Sequence, residues 1–233
     1  MIDKELFPDP ARVVYMRIDD TAETTDLTNY NDLHPEERVV VSRAVDIRKS
    51  EFGDARWCAH RALQELGLES AGSILKGEKG MPLWPDGYTG SLTHTEGLRV
   101  AVAAPSSELL SVGIDAEPAE PLPEGVLDQI ARSTERHWVD KQKSAGNAWA
   151  DRLLFCAKEA TYKAWFPMTR QWLGFEDAEI EIRSDGTFIA YLLVRPTPVP
   201  YIRGRWVVRG GYVYASTFVP ASQRRGTGDK ERR

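Results

Sequence analysis

The stretch Val112-Gly113-Ile114-Asp115-Ala116-Glu117 is an apolar run that ends abruptly in two carboxylates. On a β-strand, residues two apart point to one face, so Asp115 and Glu117 would stand side by side. Two hard oxygen donors on one face, joined by a third from elsewhere, are what magnesium takes while keeping several of its waters. Solvated strand ends show the same spacing, and the pair alone does not separate the two cases. A third acid is offered by Lys158-Glu159-Ala160-Thr161-Tyr162-Lys163, where Glu159 and Lys163 stand one helical turn apart. Both fall at the edge of an apolar stripe formed by Trp149, Leu153, Cys156, Ala157, Ala160 and Ala164. Phe155, Tyr162 and Phe166 occupy the other side, so the helix is apolar nearly all round and its charged edge is expected to line a cleft.

A second group of residues suits phosphate. Gly90-Ser91-Leu92-Thr93-His94-Thr95 supplies hydroxyls, backbone donors and an imidazole, and Lys76 and Lys79 precede it in a glycine-rich stretch. Arg48 and Arg56 add two cations about a quarter turn apart on a continuous helix. Taken singly, each of these cations also fits a solvated surface position, and His94 a structural histidine.

These groups need elements to carry them. His34-Pro35-Glu36-Glu37 opens a helix that Phe52, Ala55, Ala59, Leu63 and Leu66 continue until Gly67. Lys76 to Gly90 is an irregular Gly/Pro-rich loop, and Leu98 to Ala104 and Leu109 to Ile114 form a pair of strands. A second helix spans about Ala148 to Phe166 and stops at Pro167. Strands follow at Ala178 to Arg183, Thr187 to Val194, Arg203 to Val208 and Tyr212 to Val219. The expected class is α+β, two similar α/β lobes meeting near Val112 to Glu117 with a site in the cleft between them.

Hydrophobic residues make up 42% and charged residues 28% of 233, as in an ordinary globular chain. A net charge of -5 argues against general nucleic-acid binding, which needs clustered Lys and Arg. No apolar run approaches the roughly 18 residues of a membrane span, and the acidic start Met1-Ile2-Asp3-Lys4-Glu5 is unlike a secretory signal. The two cysteines, Cys58 and Cys156, occupy apolar helix positions, which fits a reduced cytoplasmic protein. Ala221 to Arg233, with five basic and two acidic residues, is expected to be disordered.

Taken together, four blocks in order resemble the large, pseudo-dimeric phosphopantetheinyl transferases that activate polyketide and nonribosomal peptide synthetases, closest to their actinobacterial branch. They are the basic helix of Arg48 and Arg56, Lys76-Gly77-Glu78-Lys79-Gly80 through Trp84-Pro85 to Ser91-Leu92-Thr93-His94, Gly113 to Glu117, and Lys158 to Lys163. The resemblance implies two lobes related by a pseudo-two-fold axis, residues 1–112 and 113–219, before a basic tail at 220–233. It also implies that Asp115, Glu117 and Glu159 hold magnesium, with manganese as a substitute, against the pyrophosphate of coenzyme A. Arg48, Arg56, Lys76, Lys79 and His94 would bind the adenosine and phosphates, with Ser91 and Thr93 close by. Glu159, Lys163 and Lys158 would act in catalysis. The partners implied are acyl or peptidyl carrier domains of fatty-acid, polyketide or nonribosomal peptide synthases, met by a cytoplasmic monomer near Met168, Arg170 and Trp172. Ala116 replaces a bulky aliphatic residue, and Cys156 a frequent serine, of the family pattern. A magnesium-dependent phosphohydrolase and a non-catalytic coenzyme A-binding module would use much the same residues.

Overall fold

The computed structural model describes residues 6–18 and 25–226. Helices are α1 (Thr28–Asn31), α2 (Pro35–Val40), α3 (Asp46–Gln64), α4 (Val126–Ile130), α5 (Ser133–Ser144) and α6 (Ala150–Thr169). Strands are β1 (Arg12–Arg17), β2 (Leu75–Lys76), β3 (Pro82–Leu83), β4 (Tyr88–Thr95), β5 (Leu98–Pro105), β6 (Leu109–Pro118), β7 (Ala178–Ile182), β8 (Thr187–Leu192), β9 (Tyr201–Arg209) and β10 (Tyr212–Pro220). The class is mixed α+β.

Two antiparallel sheets dominate, one ordered β1-β5-β4 and the other β6-β10-β9-β8-β7. The strands expected to pair, Leu98 to Ala104 and Leu109 to Ile114, do not share a ladder: β5 pairs with β1 and β4, and β6 with β10. Both sheets therefore present an edge, β4 and β6, and these edges meet. The edge N–H of Ile114 donates to Ser91 Oγ at 3.2 Å, so a hydroxyl replaces a missing ladder partner.

The helix expected from His34 to Leu66 is two helices, α2 and α3. The β-branched run Val39-Val40-Val41 is a poor helix continuation; Arg48 and Arg56 still share α3. Pro167 does not end α6, which runs on to Thr169 with Pro167 inside it and Arg170 closing it in the left-handed conformation at φ 57°. So close to the terminus the ring removes one donor while Arg170 N still reaches Phe166 O at 2.8 Å. Ala221–Gly226 forms a 3-10 turn, contrary to the expected disorder from Ala221, and residues 227–233 lie outside the described residues. Among the described residues no helix is long and apolar enough to cross a membrane.

Helix α6 lies close on the second sheet because the facing residues are small. A Cβ on Gly113 would sit 2.0 Å from Ala160 O. Ser111 Oγ donates to Ala164 O and Thr217 Oγ1 to Ala160 O, both at 2.7 Å. Ser111, Gly113, Asp115 and Glu117 occupy one face of β6, while Val112, Ile114 and Ala116 pack into a core with Val100, Val102 and Tyr214. Helix α6 thus rests on the small end of the face that carries the two acids.

Candidate active site

A cavity of about 480 Å³ opens where α3, the β2–β3 region, β4, β6 and α6 converge. Arg48, Arg56, Lys76, Lys79, Ser91, Thr93 and His94 all line it, as do Asp115, Glu159 and Lys163. Arg48, Arg56, Lys76 and Lys79 come to it from α3 and the β2–β3 region, and Asp115, Glu159 and Lys163 from β6 and α6. Glu117 and Lys158 are not on its wall.

The carboxylate side is built on the β6–α6 contact. Asp115 is buried, and its Oδ1 accepts from Lys163 Nζ at 2.7 Å and Thr93 Oγ1 at 2.9 Å. Lys163 also donates to Ile114 O at 3.1 Å. Asp115 Oδ2 is buried with no hydrogen-bond partner, an expensive state for an anionic oxygen. Glu117 lies 3.5 Å from Arg152 Nη1, and Thr95 Oγ1 is 3.4 Å from the same oxygen, Oε2. Burial, then the charge of Asp115, push the Glu117 carboxyl above the usual range against the pull of Arg152. Glu159 is pushed up likewise by burial and by Asp115, with Lys163 opposing and Glu117 adding. Three acids thus share one electrostatic neighbourhood. Even so, among the described residues no three His, Cys, Asp or Glu side chains form a ready-made cation cluster. Asp115 is engaged by Lys163, and Glu117 is turned to Arg152. Cys156 is fully buried, its thiol pushed well up by burial and by the neighbouring carboxylates.

The cationic side is more varied. Arg56 is buried beneath the ring of Phe52, its Cζ 4.5 Å from the centroid, and Nε donates to Ile74 O at 2.7 Å. Burial lowers this guanidinium to about 10, partly offset by Glu37, whose Oε1 is 4.0 Å away. Glu37, fully buried, accepts from Ile74 N at 2.9 Å and meets His60 at 2.9 Å. Burial raises the Glu37 carboxyl, but His60, Ile74 N–H and Arg56 outweigh it and hold it below the usual range. Arg48 Nη1 contacts Glu51 at 2.8 Å and His94 Nε2 at 3.0 Å. A guanidinium only donates, so the second contact needs an unprotonated Nε2. Partial burial, helped by Arg48, Arg99 and Lys163 against Glu51, lowers His94 in the same direction. Lys76 and Lys79 are exposed, and Lys79 is in the left-handed region at φ 50°.

Lys158 departs from expectation. Its ammonium is buried away from the cavity, 2.9 Å from Glu135 Oε2, and donates to Phe175 O at 2.6 Å and Ala178 O at 2.9 Å. Consecutive helix residues diverge by 100°, so with Glu159 on the cavity wall Lys158 faces α5 and β7 instead. It ties elements together and does not reach the site. Sequence reasoning missed Glu37 and Arg152 as site residues, and it did not pair Thr95, named for its hydroxyl, with Glu117; in each case the partner is remote in the chain.

Comparison with known proteins supplies the deciding observation. The chain is 49% identical to the 4'-phosphopantetheinyl transferase PptT of Mycobacterium tuberculosis, over 77% of this chain and 82% of that protein. The chain belongs to the 4'-phosphopantetheinyl transferase superfamily. Its activity is therefore phosphopantetheinyl transfer. Identity is 46% to the transferase Npt of Nocardia iowensis, over 77% of this chain and 86% of that protein. It is 45% to Svp of Streptomyces mobaraensis, over 81% and 79%. The profile of the 4'-phosphopantetheinyl transferase N-terminal domain matches residues 36–104 and that of the superfamily residues 111–217. The first match carries the transferase's cationic side, the second its carboxylates.

Proposed function

We propose that the transferase takes coenzyme A into the cavity with its phosphates toward Arg48, Arg56, Lys76, Lys79 and His94, and passes the phosphopantetheine arm to a serine of a carrier domain. The observation that carries this reading is the convergence of five cationic side chains, Arg48, Arg56, Lys76, Lys79 and Lys163, with Asp115 and Glu159 around one cavity. Polyphosphates are bound by such cations and by hydroxyl and backbone donors. We read residues 1–112 and 113–219 as two lobes related by a pseudo-two-fold axis, with the site in the cleft between them.

The donor set fits a hard divalent cation. Asp115 Oδ2 is an orphaned buried oxygen, and Glu117 and Glu159 are acids that burial first, and then the charge of Asp115, hold above their usual range. Asp115, Glu117 and Glu159 would hold magnesium, or manganese in its place, which when bound neutralises charge on the pyrophosphate. Among the described residues Glu159 has no hydrogen bond or ion pair, and it takes the proton from the incoming serine hydroxyl. The serine oxygen forms a bond to the β-phosphorus, and the bond to the bridging oxygen breaks, releasing adenosine 3',5'-bisphosphate. Lys163, fixed by Asp115 and Ile114 O, steadies the phosphate oxygens as charge moves onto the leaving group.

The carrier is expected beside the C-terminal end of α6. Trp172 is 67% exposed there and packs tilted against Tyr162 with centroids 5.1 Å apart, close in sequence to Met168 and the exposed Arg170. Aromatic and arginine anchors suit the acidic helix of a carrier domain, whether from a fatty-acid, polyketide or nonribosomal peptide synthase. We read the protein as a monomer, and both cysteines are free and buried, in keeping with the cytoplasm.

The test is to incubate the protein with coenzyme A, magnesium and an apo carrier domain and weigh the carrier. Transfer adds the phosphopantetheine mass to the carrier. Free phosphopantetheine would mark a phosphohydrolase, and an unchanged mixture a binding module; either result would refute the proposal.

A further inference from the structure

Arg152 stands seven residues before Glu159 on α6, close to the same face of the helix. Its side chain is only 17% exposed and is anchored from outside the helix. Nε donates to Glu120 O at 3.2 Å and Nη2 to Pro121 O at 2.9 Å, both in the segment that leaves β6. Two backbone carbonyls therefore fix the guanidinium, and Nη1 is left 3.5 Å from Glu117 Oε2. That is too long for a good hydrogen bond and short enough for a strong charge-charge interaction.

Glu117 contrasts with Asp115. Asp115 Oδ1 is held by Lys163 and Thr93 at 2.7 and 2.9 Å. Glu117 meets Arg152 and Thr95 at 3.5 and 3.4 Å, so neither contact locks its carboxylate. A fixed cation thus faces an acid that retains freedom to turn.

We propose that Arg152 competes with the divalent cation for Glu117, on the reading of Glu117 as a cation ligand. With the cation absent, Arg152 is the counter-charge of Glu117; when Glu117 turns to the cation, Arg152 is left as a repulsive charge near a doubly charged ion. Arg152 thereby weakens cation affinity and keeps the ion exchangeable. A mere brace for Glu117 would do the opposite, because losing it would let the carboxylate wander and weaken binding. The two roles differ in sign.

The experiment measures Mn2+ affinity by the electron paramagnetic resonance signal of free Mn2+, without coenzyme A and at one pH, with circular dichroism to monitor folding. Arg152→Gln is expected to bind Mn2+ about three to ten times more tightly than wild type, since a positive charge near a dication is removed. Arg152→Lys keeps the charge and should stay near wild type. In the Glu117→Gln background the effect of Arg152→Gln should shrink to the residual charge repulsion of the ion, because no carboxylate is left to compete for. Arg152→Met, which keeps an aliphatic stem, is the second charge-free variant should glutamine loosen the loop. Unchanged or weaker Mn2+ binding in both charge-free variants, with Glu117→Gln itself weakening binding, would overturn the competition and leave Arg152 a brace. Wild-type Mn2+ affinity in Glu117→Gln would instead remove Glu117 from the ligand set, and the competition with it.

Discussion

Lys163 Nζ lies 2.7 Å from Asp115 Oδ1, joining α6 to the edge strand β6 across 48 residues of chain. This pair fixes which oxygen of Asp115 is occupied and which, Oδ2, stays unpartnered. Lys163→Met should leave Oδ1 to Thr93 alone while removing a phosphate-side cation. Transfer is expected to fall about a hundredfold or more, as when a preorganised donor is lost, with the fold intact. Carrier mass spectrometry under single-turnover conditions measures it.

Glu159→Gln keeps the shape of the side chain but cannot take a proton. We expect transfer to fall by about two to four orders of magnitude. Coenzyme A binding, measured by calorimetry, should change only a few-fold, because the cationic wall is untouched. Turnover near wild type would remove Glu159 from the reaction.

Glu117 and Glu159 are both held above the ordinary glutamate value of 4.5, by burial first and then by the charge of Asp115. A carboxyl raised in the folded state binds more protons there than in the unfolded chain, so stability is fullest below the ordinary value and is lost as pH rises through the raised one. Glu159→Gln should therefore melt higher than wild type at about pH 8, and the gap should close toward about pH 4.5. Magnesium should raise the wild-type melting temperature more at the higher pH. Scanning fluorimetry across pH, with and without the ion, checks both.

Lys158 and Glu135 form an ion pair with side chains only 2% and 1% exposed. Lys158→Ala leaves Glu135 uncompensated, and a loss of about 3–5 kcal/mol is expected on denaturant unfolding. Transfer by the folded fraction should stay within a few-fold, in contrast with Lys163→Met. A large kinetic loss with full stability would return Lys158 to the reaction.

Gly113→Ala would place a methyl 2.0 Å from the carbonyl of Ala160, which is backbone and cannot swing away. Helix α6 must then move off β6, carrying Glu159 and Lys163. A loss of at least about 3 kcal/mol is expected, with cation binding impaired in whatever remains folded. Thermal melting and Mn2+ titration measure the two effects.

The amino-acid sequence by itself determined the four blocks, the α+β class, the paired face of Asp115 and Glu117, and the helical turn joining Glu159 to Lys163. Those features depend on the local periods of strand and helix, which residue types reveal without partners. Only the tertiary structure decided that Lys158, one residue from Glu159, faces Glu135, since a helix presents each residue to whatever packs there. It also decided that β6 pairs with β10, leaving its other edge to Ser91 and Thr93, and that Arg152, ordinary in sequence, stands over Glu117. Each of these depends on contacts between residues far apart in the chain, and no local pattern encodes which distant group will arrive.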